Sequence, residues 1–207
     1  LTNYNVFIVD KALDNSSSIS IMNTNVTNTN SDKDANVTGF FTKFNNKKNT
    51  HVYAANFKMS NEFFSDSTNT GFAGSISAAK NSGNYRYEVY TLFEDDKYNP
   101  NDLGFLYSNN ELTNGLNIGY EQLNENKNFI FSKYYLFVKH EKLFTENKFV
   151  NLEIEAETKF MFKNYLFFMT KIVADPYEKD DYYEARTGDF NTPVKRSKSM
   201  RYGVYLS

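Results

Sequence analysis

The sequence predicts an all-β fold, an antiparallel up-and-down transmembrane β-barrel of which this chain is a fragment of about eleven strands. Three observations carry the expectation. Val150, Leu152, Ile154, Ala156, Thr158, Phe160 and Phe162 alternate with Asn151, Glu153, Glu155, Glu157, Lys159 and Met161, so one face is apolar and the other densely charged. The run lasts about a dozen residues, close to the ~9–11 that a tilted strand needs to cross a bilayer and longer than the ~5–6 usual in soluble folds. Similar runs recur along the chain, joined by connections that alternate short and long, as they do at the two rims of an outer-membrane barrel.

Turns read from clusters of Asn, Asp, Gly and Ser place strands near residues 4–12, 17–27, 36–45, 50–62, 71–81, 85–95, 111–123, 129–143, 149–162, 165–174 and 198–207. The connections at 13–16, 46–49, 81–84, 124–128 and 163–164 are short, whereas those at 28–35, 64–70, 95–110 and 175–197 are longer. The connection at 144–148 is short and breaks the alternation. Pro100, Pro176 and Pro193 all fall in the two longest connections, which fits strands whose N–H groups are all needed for the ladder. No segment has a 3.6-residue period, so no helix is expected.

Parity then assigns the faces. Tyr53, Ala55, Phe57 and Met59 oppose Asn56 and Lys58. Tyr85, Tyr87, Val89, Thr91 and Phe93 share one face, and Arg86, Glu88 and Glu94 share the other with Tyr90 and Leu92. Leu112, Leu116, Ile118 and Tyr120 oppose Thr113, Asn117 and Glu121. The expected lumen lining is Lys58, Arg86, Glu88, Glu94, Glu121, Glu153, Glu155, Glu157 and Lys159. In 71–79, Gly, Ala and Ser occupy both faces, a strand able to lie against a plug or a neighbouring chain. The strand at 129–143 is mixed on both faces. An odd number of strands closes an antiparallel barrel only with one parallel pair, so further strands are expected before Leu1 or after Ser207.

The composition narrows the function classes. A length of 207 residues suits one domain, and no interdomain linker interrupts it. There are 16 Tyr and 20 Phe but no Trp. No run approaches the ~18 apolar residues of a spanning helix, and a polar mean hydropathy is what a barrel with only alternate residues toward lipid would show. A formal net charge of −2 argues against a nucleic-acid partner, which calls for a clustered basic face. With no cysteine, disulfides, Cys-based zinc sites and a thiol nucleophile are excluded. The chain opens Leu-Thr-Asn-Tyr without Met or a signal pattern, so it is read as a fragment of a longer protein.

Candidate constellations each have a plain alternative. Glu153, Glu155 and Glu157 invite a cation-selective lining or an acid/base pair, but three carboxylates on one solvated wall more simply pair with Lys or Arg of neighbouring strands. His51 and His140 lie on non-neighbouring strands, and no HExxH, GxSxG or phosphate loop occurs. No catalytic residue is assigned, and the chain is read as not an enzyme. Asp95, Asp96, Asn99, Asn101 and Asp102 concentrate the hard oxygens that calcium uses, but Lys97 and Pro100 break any EF-hand spacing. An ordinary polar turn is the plain reading. The same holds for the acidic stretch 175–189, where Tyr182, Tyr183 and Arg186 would also suit sugar stacking. No metal ligand set or other cofactor is assigned. Asn15, Asn25 and Asn36 match glycosylation acceptors, as chance produces in an Asn-rich chain.

Several strings carry a resemblance: Ile21-Met22-Asn23-Thr24-Asn25-Val26, Ala35-Asn36-Val37-Thr38-Gly39, Ser82-Gly83-Asn84-Tyr85-Arg86-Tyr87, Tyr98-Asn99-Pro100-Asn101-Asp102-Leu103-Gly104-Phe105-Leu106 and Tyr182-Tyr183-Glu184-Ala185-Arg186. In these the chain resembles a family of Bacteroidota outer-membrane proteins catalogued as a domain of unknown function. Its members look like a secreted carbohydrate-binding-like module of the family-nine type followed by a large membrane barrel. The resemblance departs at Ala185, where a Pro is expected, and the sugar-binding-like module is not in this segment. It implies that residues 1–207 are part of one outer-membrane β-barrel domain, with that module and further strands outside the segment. It implies no activity. The expected function is passage or gating of a small polar solute, glycan-derived if the module binds sugar. The alternative is a plugged, non-conducting barrel serving as a structural subunit of a cell-envelope complex. Expected partners are membrane lipid, lipopolysaccharide and envelope proteins, with no nucleic acid.

Overall fold

The structure is a computed structural model that describes residues 1–29, 32–102, 104–184 and 191–207. It is all-β and antiparallel, with strands β1 (Thr2–Leu13), β2 (Ser17–Asn28), β3 (Lys33–Asn45), β4 (His51–Phe64), β5 (Thr68–Lys80), β6 (Tyr85–Glu94), β7 (Glu111–Gln122), β8 (Phe129–Leu143), β9 (Phe149–Phe162), β10 (Phe167–Asp175), β11 (Lys179–Asp181), β12 (Val194–Arg196) and β13 (Ser199–Leu206). The sheet order is β1-β2-β3-β4-β5-β6-β7-β8-β9-β10-β13, an up-and-down meander of 11 strands, and β11–β12 form a separate hairpin. Among the described residues there is no α-helix, only a 3-10 turn at Asp14–Ser16. Each expected strand is present. The sheet order runs from β1 to β13 without closing, so the observed architecture is an open sheet. The β11–β12 hairpin was not legible in the sequence, since its strands are three residues each.

Two connections expected to be long are tight: β2 ends at Asn28 and β3 starts at Lys33, and β4 ends at Phe64 with β5 starting at Thr68. Each of these strands runs one to three residues past its expected end, and Asn and Thr side chains along them bond across the ladder. Asn23 Nδ2 donates to Asn36 Oδ1 at 3.1 Å and to Thr38 Oγ1 at 2.8 Å, and Thr70 Oγ1 donates to Asn61 Oδ1 at 2.8 Å. The remaining long connections are 95–110 and 176–198. Asn elsewhere serves the turns. Asn15, Asn49, Asn110 and Asn147 hold positive φ, the left-handed region that Asn tolerates best after Gly, and the Asn46 side chain accepts from the N–H groups of Thr50 and His51.

The chain divides into two compact units: Leu1–Ala78, Thr91–Leu112 and Leu143–Lys148 form the first, and Ala79–Tyr90, Thr113–Lys142 and Phe149–Ser207 the second. In the first, the register aligns Ile21, Phe40 and Phe57 on one face and Met22, Gly39 and Lys58 on the other. The apolar face is bare, with Phe57 49% exposed, while the opposite face covers the small core around Ala73, Tyr98 and Leu143. In the second, Ile154, Ala156 and Thr158 face Ala174, Ile172 and Thr170, and Ile172 pairs with Tyr202. Here too the apolar face is open, with Ile172 46% exposed. Both units therefore invert the burial pattern of a water-soluble sandwich, in which the apolar face is the covered one.

Candidate functional site

In the second unit the alternation of β9 sets Glu153, Glu155 and Glu157 side by side, and each carboxylate meets a cation. Glu153 pairs with Arg201 of β13 at 3.2 Å, Glu155 with Lys171 of β10 at 2.8 Å, and Glu157 with Lys159 of its own strand at 2.6 Å. Lys159 also lies 5.6 Å from the Tyr135 ring centroid, within cation–π range. Further along the face, Glu121 is nearly buried and accepts from Tyr135 Oη at 2.7 Å and pairs with Arg86 at 3.2 Å, while Glu88 accepts from Asn117 Nδ2 at 2.9 Å. Gly115 leaves the space that the Tyr90 ring fills: a Cβ there would stand 2.0 Å from the ring. Asp175, which opens the acidic stretch 175–189, is buried at the strand end between Lys179 at 2.7 Å, Ser199 at 2.6 Å and Arg201 at 3.7 Å. The carboxylate ladder is thus a wall of compensated charge.

In the first unit the segment 95–110 folds back over the charged face of β3–β5. Asp95 anchors its start: its N–H donates to Phe72 O at 2.9 Å, and its carboxylate accepts from the N–H groups of Phe72 and Lys97. Tyr98 follows and is 3% exposed. Its backbone presses on Gly71, where a Cβ would meet Tyr98 N at 2.1 Å, and Lys58 lies 5.6 Å from its ring centroid. Gly71, at the start of the small-residue stretch, therefore lies against a loop of its own chain. Burial, with the Glu94 carboxylate, pushes the Tyr98 phenol up to about 12.

Asn99 docks through its N–H to Ser60 Oγ at 3.0 Å and through Nδ2 to Glu62 Oε1 at 2.9 Å. Glu62 also accepts from Asn69 at 3.0 Å and pairs with Lys33 at 2.6 Å, and Lys33 reaches Asp102 at 2.9 Å. Asn110, fully buried at φ 61°, closes the far end. Its N–H donates to Asp95 O at 3.1 Å, its amide donates to Glu146 at 2.8 Å, and its Oδ1 accepts from Thr145 N at 2.9 Å. These contacts fix the segment as a latch across the face and leave beside it a cleft of about 270 Å³.

The expected residues are placed as follows. Lys58 and Glu94 lie beneath the latch, with Glu94 in the field of Glu111 and Lys58. Asp95, Asn99, Asn101 and Asp102 make hydrogen bonds or an ion pair within the first unit, and Asp96 accepts from Thr145 Oγ1 at 3.2 Å. Among the described residues no three His, Cys, Asp or Glu side chains converge as a cation would require. In the other long connection Tyr182 is buried and Tyr183 half-buried, and Asp181 pairs with Arg196 at 2.9 Å. Arg186 lies outside the described residues. His51 sits at a strand end against Thr50 Oγ1, and His140 lies 5.9 Å from the Phe149 ring, ring centroid to ring centroid.

Lys33, Ser60, Glu62, Gly71 and Tyr98 carry the latch and were not singled out as a group. Their one sequence signal is the small-residue strand, which asks for something close above it.

No curated protein and no solved structure matches the chain. A family model does, over residues 1–207. The chain with this latched loop and paired charged wall belongs to the family described as Domain of unknown function (DUF5916).

Proposed function

We propose that the chain is part of an outer-membrane β-barrel that passes or gates a small polar solute, with the latched segment 95–110 as its constriction. One observation carries the reading: in each unit the apolar residues of alternate positions stand bare, while the opposite face satisfies its charges internally. Phe57, Ile76, Val89, Leu116, Ile172 and Val204 are all exposed large apolar side chains. In water such a bare apolar face on each unit is a liability; against lipid it is the face that a barrel needs. The latch favours a second reading, a plugged barrel that serves as an accessory subunit of an envelope complex, because its anchors hold it inward.

The test is single-channel conductance of the full-length protein, extracted in detergent and reconstituted into a planar bilayer, with insertion confirmed separately. Steady ohmic steps support the conducting barrel. Confirmed insertion without conductance supports the plugged one. A protein that stays monodisperse without detergent and does not insert overturns both.

A further inference from the structure

We propose that the cleft beside the latch is a binding subsite for a neutral, hydroxyl-rich ligand, a saccharide unit. The cleft is lined by amides, from Asn69, Asn99, Asn101 and Asn109, together with Ser108 and the ring of Tyr107. Its carboxylates are already engaged: Glu62 is held by Lys33, Asn69 and Asn99, and Asp96 accepts from Thr145 Oγ1 at 3.2 Å. An anion would face two carboxylates, and a cation would compete with Lys33 and Lys97.

A sugar hydroxyl is both donor and acceptor, as a primary amide is, so the two match without any change of charge. Among the described residues the Asn69 carbonyl oxygen and the Asn101 amide nitrogen make no hydrogen bond, one acceptor and one donor in one cleft. Tyr107 is 87% exposed, an aromatic ring held in water at the rim of a polar cleft. A ring in that position offers a flat apolar face to the C–H face of a sugar while amides take its edge. The volume, about 270 Å³, lies just below the ~300–1,000 Å³ of drug-sized pockets and suits a single saccharide unit.

The proposal deepens the solute-passing reading, and a binding assay keeps the two separable. The full-length protein in detergent is titrated with cellobiose, with glucuronate and choline as charged probes, by saturation-transfer NMR. Cellobiose is expected to bind and the charged probes to bind at least about tenfold more weakly; Tyr107→Ala should weaken cellobiose binding about tenfold or more, and Tyr107→Phe should retain it. Tyr107 packs on nothing that the fold needs, so loss in the variant reports the site. No transfer to cellobiose, stronger binding of either charged probe, or cellobiose binding that survives Tyr107→Ala would overturn the proposal. Binding without conductance would sink the conducting barrel alone, and conductance without binding would sink this subsite alone.

Discussion

Replacing Gly71 with Ala tests whether the latch is a discrete, openable element. A Cβ at Gly71 would stand 2.1 Å from Tyr98 N and 2.2 Å from Lys97 C. Both are backbone atoms, so no rotamer relieves the clash, and the loop must retreat by more than ~1 Å to reach van der Waals contact. Gly71 has no positive φ, so the strand itself accepts Ala. Overpacking costs ~1–3 kcal/mol, and straining the two Asn99 bonds to Ser60 and Glu62 adds ~0.5–1.5 kcal/mol each. Latch opening then becomes easier by roughly 2–6 kcal/mol, or about 30- to 20,000-fold in the open population at ~1.4 kcal/mol per decade. Cleavage after Lys97 by trypsin, followed by mass spectrometry, reads that population when closing outpaces cutting. Gly203→Ala is the control, because a Cβ there meets nothing within 4 Å. A Gly71→Ala protein that is cut after Lys97 no faster than wild type would refute the latch as described.

Three further outcomes follow from the same contacts. Glu62→Gln removes the carboxylate that holds Lys33, Asn69 and Asn99, and should cost ~1.5–3 kcal/mol of latch stability by the same proteolysis assay, as for a hydrogen bond to a charged group; no change would show that the ion pair is idle. Replacing Glu153, Glu155 and Glu157 together with Gln leaves Lys171 and Lys159 uncompensated and Arg201 with Asp175 alone, so the reversal potential of any conducting barrel should move toward anion preference. A mere loss of cation preference, stopping at none, would contradict the paired wall. For Tyr98, the latched phenol holds its proton to about 12, whereas in an opened loop it ionises near ~10. Below that lower value both states are neutral and pH has no effect. Between the two values the open loop has lost a proton that the latched loop keeps, so opening gains as pH rises; in an ultraviolet titration the phenolate signal that Tyr98→Phe removes should appear at lower pH in Gly71→Ala than in wild type, and an unchanged Tyr98 titration would be the wrong result.

The strands were legible because the signal they carry is geometric: side chains alternate with period two, and Leu152–Ile154–Ala156 against Glu153–Glu155–Glu157 has only one regular solution. The errors fell where one residue type has two uses. Asp34 and Thr70 are turn formers by propensity, yet they sit in β3 and β5, where Asp34 accepts from the Asn28 N–H and Thr70 donates to Asn61, so the ladder extends through them. The latch was hidden for a different reason. It depends on which loop residue meets which strand residue, as Asn99 meets Ser60 and Lys33 meets Asp102, and such long-range pairings leave no periodic trace. Gly71 and Ala73 marked where a partner had to approach but not which segment it was. Pairing of the β9 carboxylates with cations of neighbouring strands was the plain expectation; Glu155 meets it with Lys171 of β10, while Glu153 reaches Arg201 of β13 and Glu157 uses Lys159 of its own strand.

The pairing of charges bears on what such a protein could select. A ring of unpaired carboxylates concentrates cations and sets ion preference. In the second unit each β9 carboxylate has a cation within 3.2 Å, so the wall offers polar groups with little net field. In the first unit the latch uses Lys33 to bridge Glu62 and Asp102, again spending charge internally and leaving amides toward the cleft. Each unit taken by itself therefore presents hydrogen-bonding surface rather than an electrostatic filter. A barrel built from such faces would discriminate by size and hydroxyl pattern more than by charge, so its conductance should fall when a neutral saccharide occupies the latch cleft and change little with the sign of the permeant ion.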